Sequence, residues 1–108
     1  MELLLLGVSH HTAPVDLRER VDFSRRGVTT ALGELSVRPT LAEAVVLTTC
    51  NRAELYVTCE DPAATVRDLA GFMSRFHGVP EEELHPHLYS LSGSKVARQL
   101  FRVAAGLD

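Results

Sequence analysis

The chain has 108 residues, 45% of them apolar and 23% charged, with a formal net charge of −3. That length sets one domain around one core, and that balance excludes a disordered chain. The charge also lacks the basic excess by which a phosphate-binding surface usually announces itself.

Leu3 to Val8 is an apolar run closed by the polar Ser9-His10-His11-Thr12, which predicts a buried, central strand leading into a loop. Pro14 and Asp16 suit the first turn of a short helix over 14–22. Ser24 is the expected N-cap of a second helix that turns Val28, Leu32 and Leu35 inward and ends at Pro39. Glu43 to Thr49 and Leu55 to Cys59 then read as the arms of a β-hairpin, with Cys50 at its tip. Asp61 caps a third helix, Pro62 opens it and Gly78 stops it, with Val66, Leu69, Ala70, Met73 and Phe76 along one face.

Pro80 and Glu81 to Glu83 predict a helical turn, and His87 to Leu91 a fourth strand. Ser92 or Ser94 then caps a last helix carrying Val96, Leu100, Val103 and Leu107 inward. This order predicts an α+β fold, a small, mainly antiparallel four-stranded sheet with helices on one face. Met1-Glu2 followed by four leucines lacks the basic region and cleavage site of a signal peptide, and no apolar stretch nears the ~20 residues of a membrane span. A cytoplasmic location without membrane contact is expected. Gly106-Leu107-Asp108 reads as a truncation rather than a natural end.

Cys50 and Cys59 would stand at opposite ends of one hairpin arm. Nine strand residues at ~3.3 Å put them nearly 30 Å apart, against a Cα separation of under about 7 Å in a disulfide. Cys50 lies at a polar turn with Arg52 two residues on, where a guanidinium would favour the attacking thiolate. A buried structural thiol is the competing interpretation, and it suits Cys59 better. His85 and His87 flank a proline, but zinc needs about four ligands and no second pair accompanies them. The glycines form neither a G-x-G-x-x-G nor a Walker loop, so a dinucleotide would have to be held elsewhere.

Two stretches are more specific than any residue type. Gly7-Val8-Ser9-His10-His11-Thr12-Ala13-Pro14-Val15, continued by Leu17-Arg18-Glu19, resembles the opening signature of the glutamyl-tRNA reductases, and Thr48-Thr49-Cys50-Asn51-Arg52-Ala53-Glu54-Leu55-Tyr56 resembles their catalytic motif. Leu100 to Asp108 is similar to a third family segment, and the three match in order across the chain.

The resemblance implies a ferredoxin-like N-terminal catalytic domain over 1–108, cut before its family end, with the NADPH-binding and dimerisation domains beyond it. It implies that Cys50 takes glutamate from glutamyl-tRNA(Glu) as a thioester, which NADPH reduces to glutamate 1-semialdehyde for tetrapyrrole synthesis. Arg52 would clamp substrate oxygens through its planar fork of donors, with Thr49 and Asn51 as neighbouring contacts, or as turn formers only. Gln99 stands where the family commonly has a histidine. An amide does not serve as a general acid or base near neutral pH, so either the role at this position is supportive, or His10, His11 or water covers it. A homodimer of the whole protein and the downstream glutamate-1-semialdehyde aminomutase are the implied protein partners. The alternative is a non-catalytic α+β module that binds protein or RNA, in which Cys50 is structural.

Overall fold

In a computed structural model, which describes residues 1–24, 26–39 and 41–106, the N-terminal apolar run forms strand β1 (Glu2–Ser9) inside a four-stranded sheet. Helices α1 (Val15–Arg20) and α2 (Val28–Ser36) follow, then strands β2 (Leu41–Thr48) and β3 (Arg52–Cys59). Helix α3 (Pro62–His77), a short α4 (Glu81–Leu84), strand β4 (Tyr89–Ser92) and helix α5 (Ser94–Ala104) complete the chain. The strand order is β2-β3-β1-β4, and every neighbouring pair is antiparallel. Each helical crossover therefore skips one strand, which is the ferredoxin-like α+β arrangement expected from the sequence.

Side chains alternate across a strand, so the sheet has two faces. Leu4, Leu6 and Val8 of β1 join Leu55 and Val57 of β3 in the main core, which Phe23, Leu69, Phe72 and Phe76 complete from the helical side. Leu5 and Tyr56 point the other way and meet Val96 of α5. Helix α5 thus adds a thin second layer to the helices stacked on the first face. Val96 is its only buried residue; Leu100 and Phe101 are 48% and 77% exposed, Val103 is half-buried, and Leu107 lies outside the described residues.

Helix α3 starts and stops as its sequence predicts. The Asp61 carboxylate accepts from the Ala64 N–H at 3.2 Å, Pro62 follows, and Gly78 ends the helix at φ 68° in the left-handed region that glycine enters without strain. Four other expectations are corrected. Ser24 does not cap α2, because its N–H and hydroxyl both donate to the Asp22 carboxylate at 2.9 and 2.8 Å, and Gly27 precedes the helix instead. Leu32 is only half-buried, while Ala31 and Leu35 fill the core. The fourth strand begins at Tyr89, because Pro86 cannot donate to a ladder and His85–His87 close into a 3-10 turn. Gly93, at φ 66°, occupies the cap position of α5 rather than Ser92 or Ser94.

Gly7 sits at a close approach within the sheet. It pairs with Glu54 on one side and Tyr89 on the other, and an added Cβ would stand 2.6 Å from the Ala53 carbonyl oxygen and 2.8 Å from Glu54 Cγ. The backbone oxygen cannot move without breaking the ladder. Gly7→Ala is expected to cost about 1–3 kcal/mol, the usual range for an overpacked interior. An unchanged urea midpoint would refute that reading of the contact.

Candidate active site at the hairpin tip

Strands β2 and β3 are joined by Thr49-Cys50-Asn51, with Arg52 already in the ladder opposite Ser9. Thr49 N–H donates to the Arg52 carbonyl at 2.8 Å, and Asn51 N–H donates to Thr49 Oγ1 at 3.1 Å. Thr49 and Asn51 therefore build the turn, which is one of the two roles the sequence left open for them. The His10 N–H donates to the Asn51 carbonyl at 2.8 Å, tying the loop after β1 to the tip. His10 and His11 are both exposed there, with ring centroids 3.9 Å apart. His87 steadies the same loop through a hydrogen bond between its Nδ1 and the Thr12 carbonyl at 2.9 Å.

Cys50 is exposed at this tip, whereas Cys59 is 1% exposed in the main core, and both thiols are free. The position of each follows from the hairpin: the tip residue has no opposite strand to cover it, and Cys59 ends a strand whose alternate residues face the helices. An open cleft of about 290 Å³ lies beside the tip, lined by Thr49, Cys50 and Asn51 together with Val15, Arg18 and Glu19 of α1 and with Asp22. Arg18 lines this cleft with a buried Nε–H that has no hydrogen-bond partner. The sequence shows Arg18 within a motif but not that α1 would bring it alongside the thiol.

Arg52, which the sequence sets two residues from the thiol, turns into the sheet rather than into the cleft. It is 4% exposed, and its Nη1 donates to Glu54 Oε2 at 3.1 Å. Strand alternation is the reason: residues 52, 54 and 56 share the second face of the sheet, where α5 packs. Glu54 is fully buried and also accepts from the Tyr56 hydroxyl at 2.9 Å and from the Tyr89 hydroxyl. Burial, followed by the hydrogen bond to Glu54, pushes the Tyr89 hydroxyl above the usual phenol range, so it remains a donor. Glu54, Tyr56 and Tyr89 were not singled out as site residues from sequence. The available signal was Arg-x-Glu-x-Tyr, opposite charges two apart in a strand that is otherwise apolar.

Gln99 is half-buried on α5, three residues beyond Val96, on the helix that covers this same face. His77 lines a second cavity with Arg20, Asp22, Arg26 and Phe76. Burial, and then the Arg26 charge, hold its pKa down at about 4, so its ring is neutral near pH 7. Among the described residues no three His, Cys, Asp or Glu side chains gather as a metal set, and no helix is long and apolar enough to cross a membrane. Among the described residues the neighbouring strands are all antiparallel, and none of the left-handed glycines belongs to a G-x-G-x-x-G turn.

Residues 6–108 match the family model described as glutamyl-tRNAGlu reductase, N-terminal domain. Over all 108 residues the chain is 47% identical to a glutamyl-tRNA reductase of Thiobacillus denitrificans and 45% identical to one of Syntrophotalea carbinolica, covering 25% and 24% of those proteins. The chain thus spans about a quarter of the length of the curated relatives it matches. Its fold superposes on the glutamyl-tRNA reductase from Methanopyrus kandleri with a TM-score of 0.65 at 29% identity, over 97% of this chain and 22% of that one. Matched along almost its whole length, with the Thr-Cys-Asn-Arg tip among the matched residues, the chain belongs to the family of glutamyl-tRNA reductase N-terminal domains.

Proposed function

We propose that this chain is the thiol-bearing catalytic part of an NADPH-dependent glutamyl-tRNA reductase, and that Cys50 is its nucleophile. The observation that carries the proposal is the contrast between the two thiols: Cys50 is exposed at the mouth of a cleft, and Cys59 is sealed in the core. In the proposed step, Cys50 Sγ bonds to the glutamyl carbonyl carbon while the ester bond to the terminal ribose oxygen of the tRNA breaks. The proton leaving the thiol ends on that ribose oxygen, passed by His10, His11 or water, since the Gln99 amide does not titrate. An aminoacyl ester is already activated, so a thiolate suffices as nucleophile.

Arg52 is assigned the oxygens of the glutamyl group, with Thr49 and Asn51 shaping the turn that carries the thiol. Reduction of the thioester to glutamate 1-semialdehyde, which feeds tetrapyrrole and haem biosynthesis, is assigned to NADPH held outside the described residues. The same proposal includes glutamyl-tRNA(Glu) as substrate and a homodimer of the whole protein. It further includes transfer of the product to the downstream aminomutase, and residence in the cytoplasm. To test it, glutamyl-tRNA labelled in its glutamate is incubated with the full-length protein without reductant. Label is expected on the polypeptide, released by hydroxylamine and blocked by prior iodoacetamide. A polypeptide that stays unlabelled under these conditions rejects the proposal in favour of a non-catalytic module.

A further inference from the structure

Glu54, Tyr56 and Tyr89 go unused in the reaction just described, although Glu54 holds the Arg52 side chain two residues from the hairpin tip. We propose that Glu54 is a positioning residue of the Cys50 site, which sets the orientation of the Arg52 guanidinium from behind the tip. The inference rests on the roles proposed above for Cys50 and Arg52.

Three donors converge on the one carboxylate. Arg52 Nη1 and the Tyr89 hydroxyl both donate to Oε2, and the Tyr56 hydroxyl donates to Oε1. Arg52 and Tyr56 belong to β3, but Tyr89 belongs to β4, and β1 lies between those strands. Gly7 is the β1 residue that pairs with both Glu54 and Tyr89. Its missing side chain opens the gap across which the Tyr89 hydroxyl reaches the carboxylate, since a Cβ there would meet Glu54 Cγ at 2.8 Å. The link therefore spans three strands and anchors the hairpin that carries Cys50 to the far edge of the sheet.

A fully buried ion pair is an expensive way to fill a sheet face, and apolar residues of similar volume hold such a face as well or better. What the carboxylate adds is direction. A guanidinium is a planar fork, and holding Nη1 on a carboxylate that two hydroxyls also hold narrows the directions in which the rest of the fork can point. Substrate oxygens need that orientation, because a misplacement of about 1 Å in a positioning contact can cost up to about a hundredfold in rate.

Two variants separate orientation from folding. Glu54→Asp keeps the charge and draws the acceptor back by one methylene; Tyr89→Phe deletes one donor and leaves the ion pair. In the full-length protein, the rate of label transfer from glutamyl-tRNA to Cys50 is measured against substrate concentration. Alkylation of Cys50 by iodoacetamide and the Tm are measured in parallel. The KM for glutamyl-tRNA, measured where each variant is fully folded, is expected to rise about tenfold in Glu54→Asp and about threefold in Tyr89→Phe, with alkylation near the parent's, as for loss of a binding contact that leaves the thiol intact. Parent-like KM in both variants overturns the positioning role, and so does a rise that only tracks a lowered Tm. Cys50→Ser in the same assay reads the other assignment: transfer that survives it withdraws the nucleophile, whereas transfer lost there with a parent-like Glu54→Asp withdraws the positioning role alone.

Discussion

Cys50→Ser is expected to lower glutamyl transfer to the protein by about a thousandfold or more, equivalent to about 4 kcal/mol of transition-state stabilisation. A thiol is about a few per cent ionised near neutral pH and intrinsically nucleophilic, whereas a serine hydroxyl needs a dedicated base to attack an ester. Among the described residues no side-chain base is hydrogen-bonded to residue 50: the Thr49 and Asn51 contacts are turn contacts, and His10 reaches the tip through its backbone N–H. Stability should hardly change, because Cys50 is exposed and surface substitutions usually fall within about 0.5 kcal/mol. Cys59→Ser should give the reverse pattern. Its side chain is 1% exposed among aliphatic neighbours, so a hydroxyl there would cost about 1–3 kcal/mol while leaving transfer intact in the folded protein. Labelled-glutamate transfer and urea titration of both variants check the pair. Equal transfer by Cys50→Ser and the parent would remove this thiol from the chemistry.

The largest loss of stability is expected from Glu54→Ala, at about 3–5 kcal/mol, the cost of breaking a buried ion pair from one side. The carboxylate is fully buried and its guanidinium partner is 4% exposed, so water cannot replace either one. Two tyrosine hydroxyls lose their acceptor in the same substitution. Against a typical total of about 5–15 kcal/mol, a loss of that size is a large part of what holds a domain of this length together. Replacing both Arg52 and Glu54 by leucine should recover most of it, because no charge is then left buried, while glutamyl transfer should stay absent. A urea midpoint for Glu54→Ala close to the parent's would show that the carboxylate is not the counterion that Arg52 depends on.

Local signals determined a good deal of this molecule. Asp61-Pro62 and Gly78 bound α3 because an N-cap, an N1 proline and a left-handed glycine each act within a residue or two of themselves. The hairpin and the exposed tip at Cys50 followed from two β-rich runs around a polar break, and the family resemblance from motifs that include that tip. The caps at Ser24 and at Ser92 or Ser94 failed because Asp22 drew the first serine away and Gly93 turns where no other residue fits.

Tertiary structure alone decided which face Arg52 joins and what surrounds Cys50. A side chain's partners across a sheet depend on register and strand order, and a register shift of one residue would have turned Arg52, Glu54 and Tyr56 into the aliphatic core. Only the order β2-β3-β1-β4 puts Gly7 between Glu54 and Tyr89, residues 35 positions apart. Only the packing of α1 beside the tip makes Arg18, rather than Arg52, the cation lining the cleft next to the thiol.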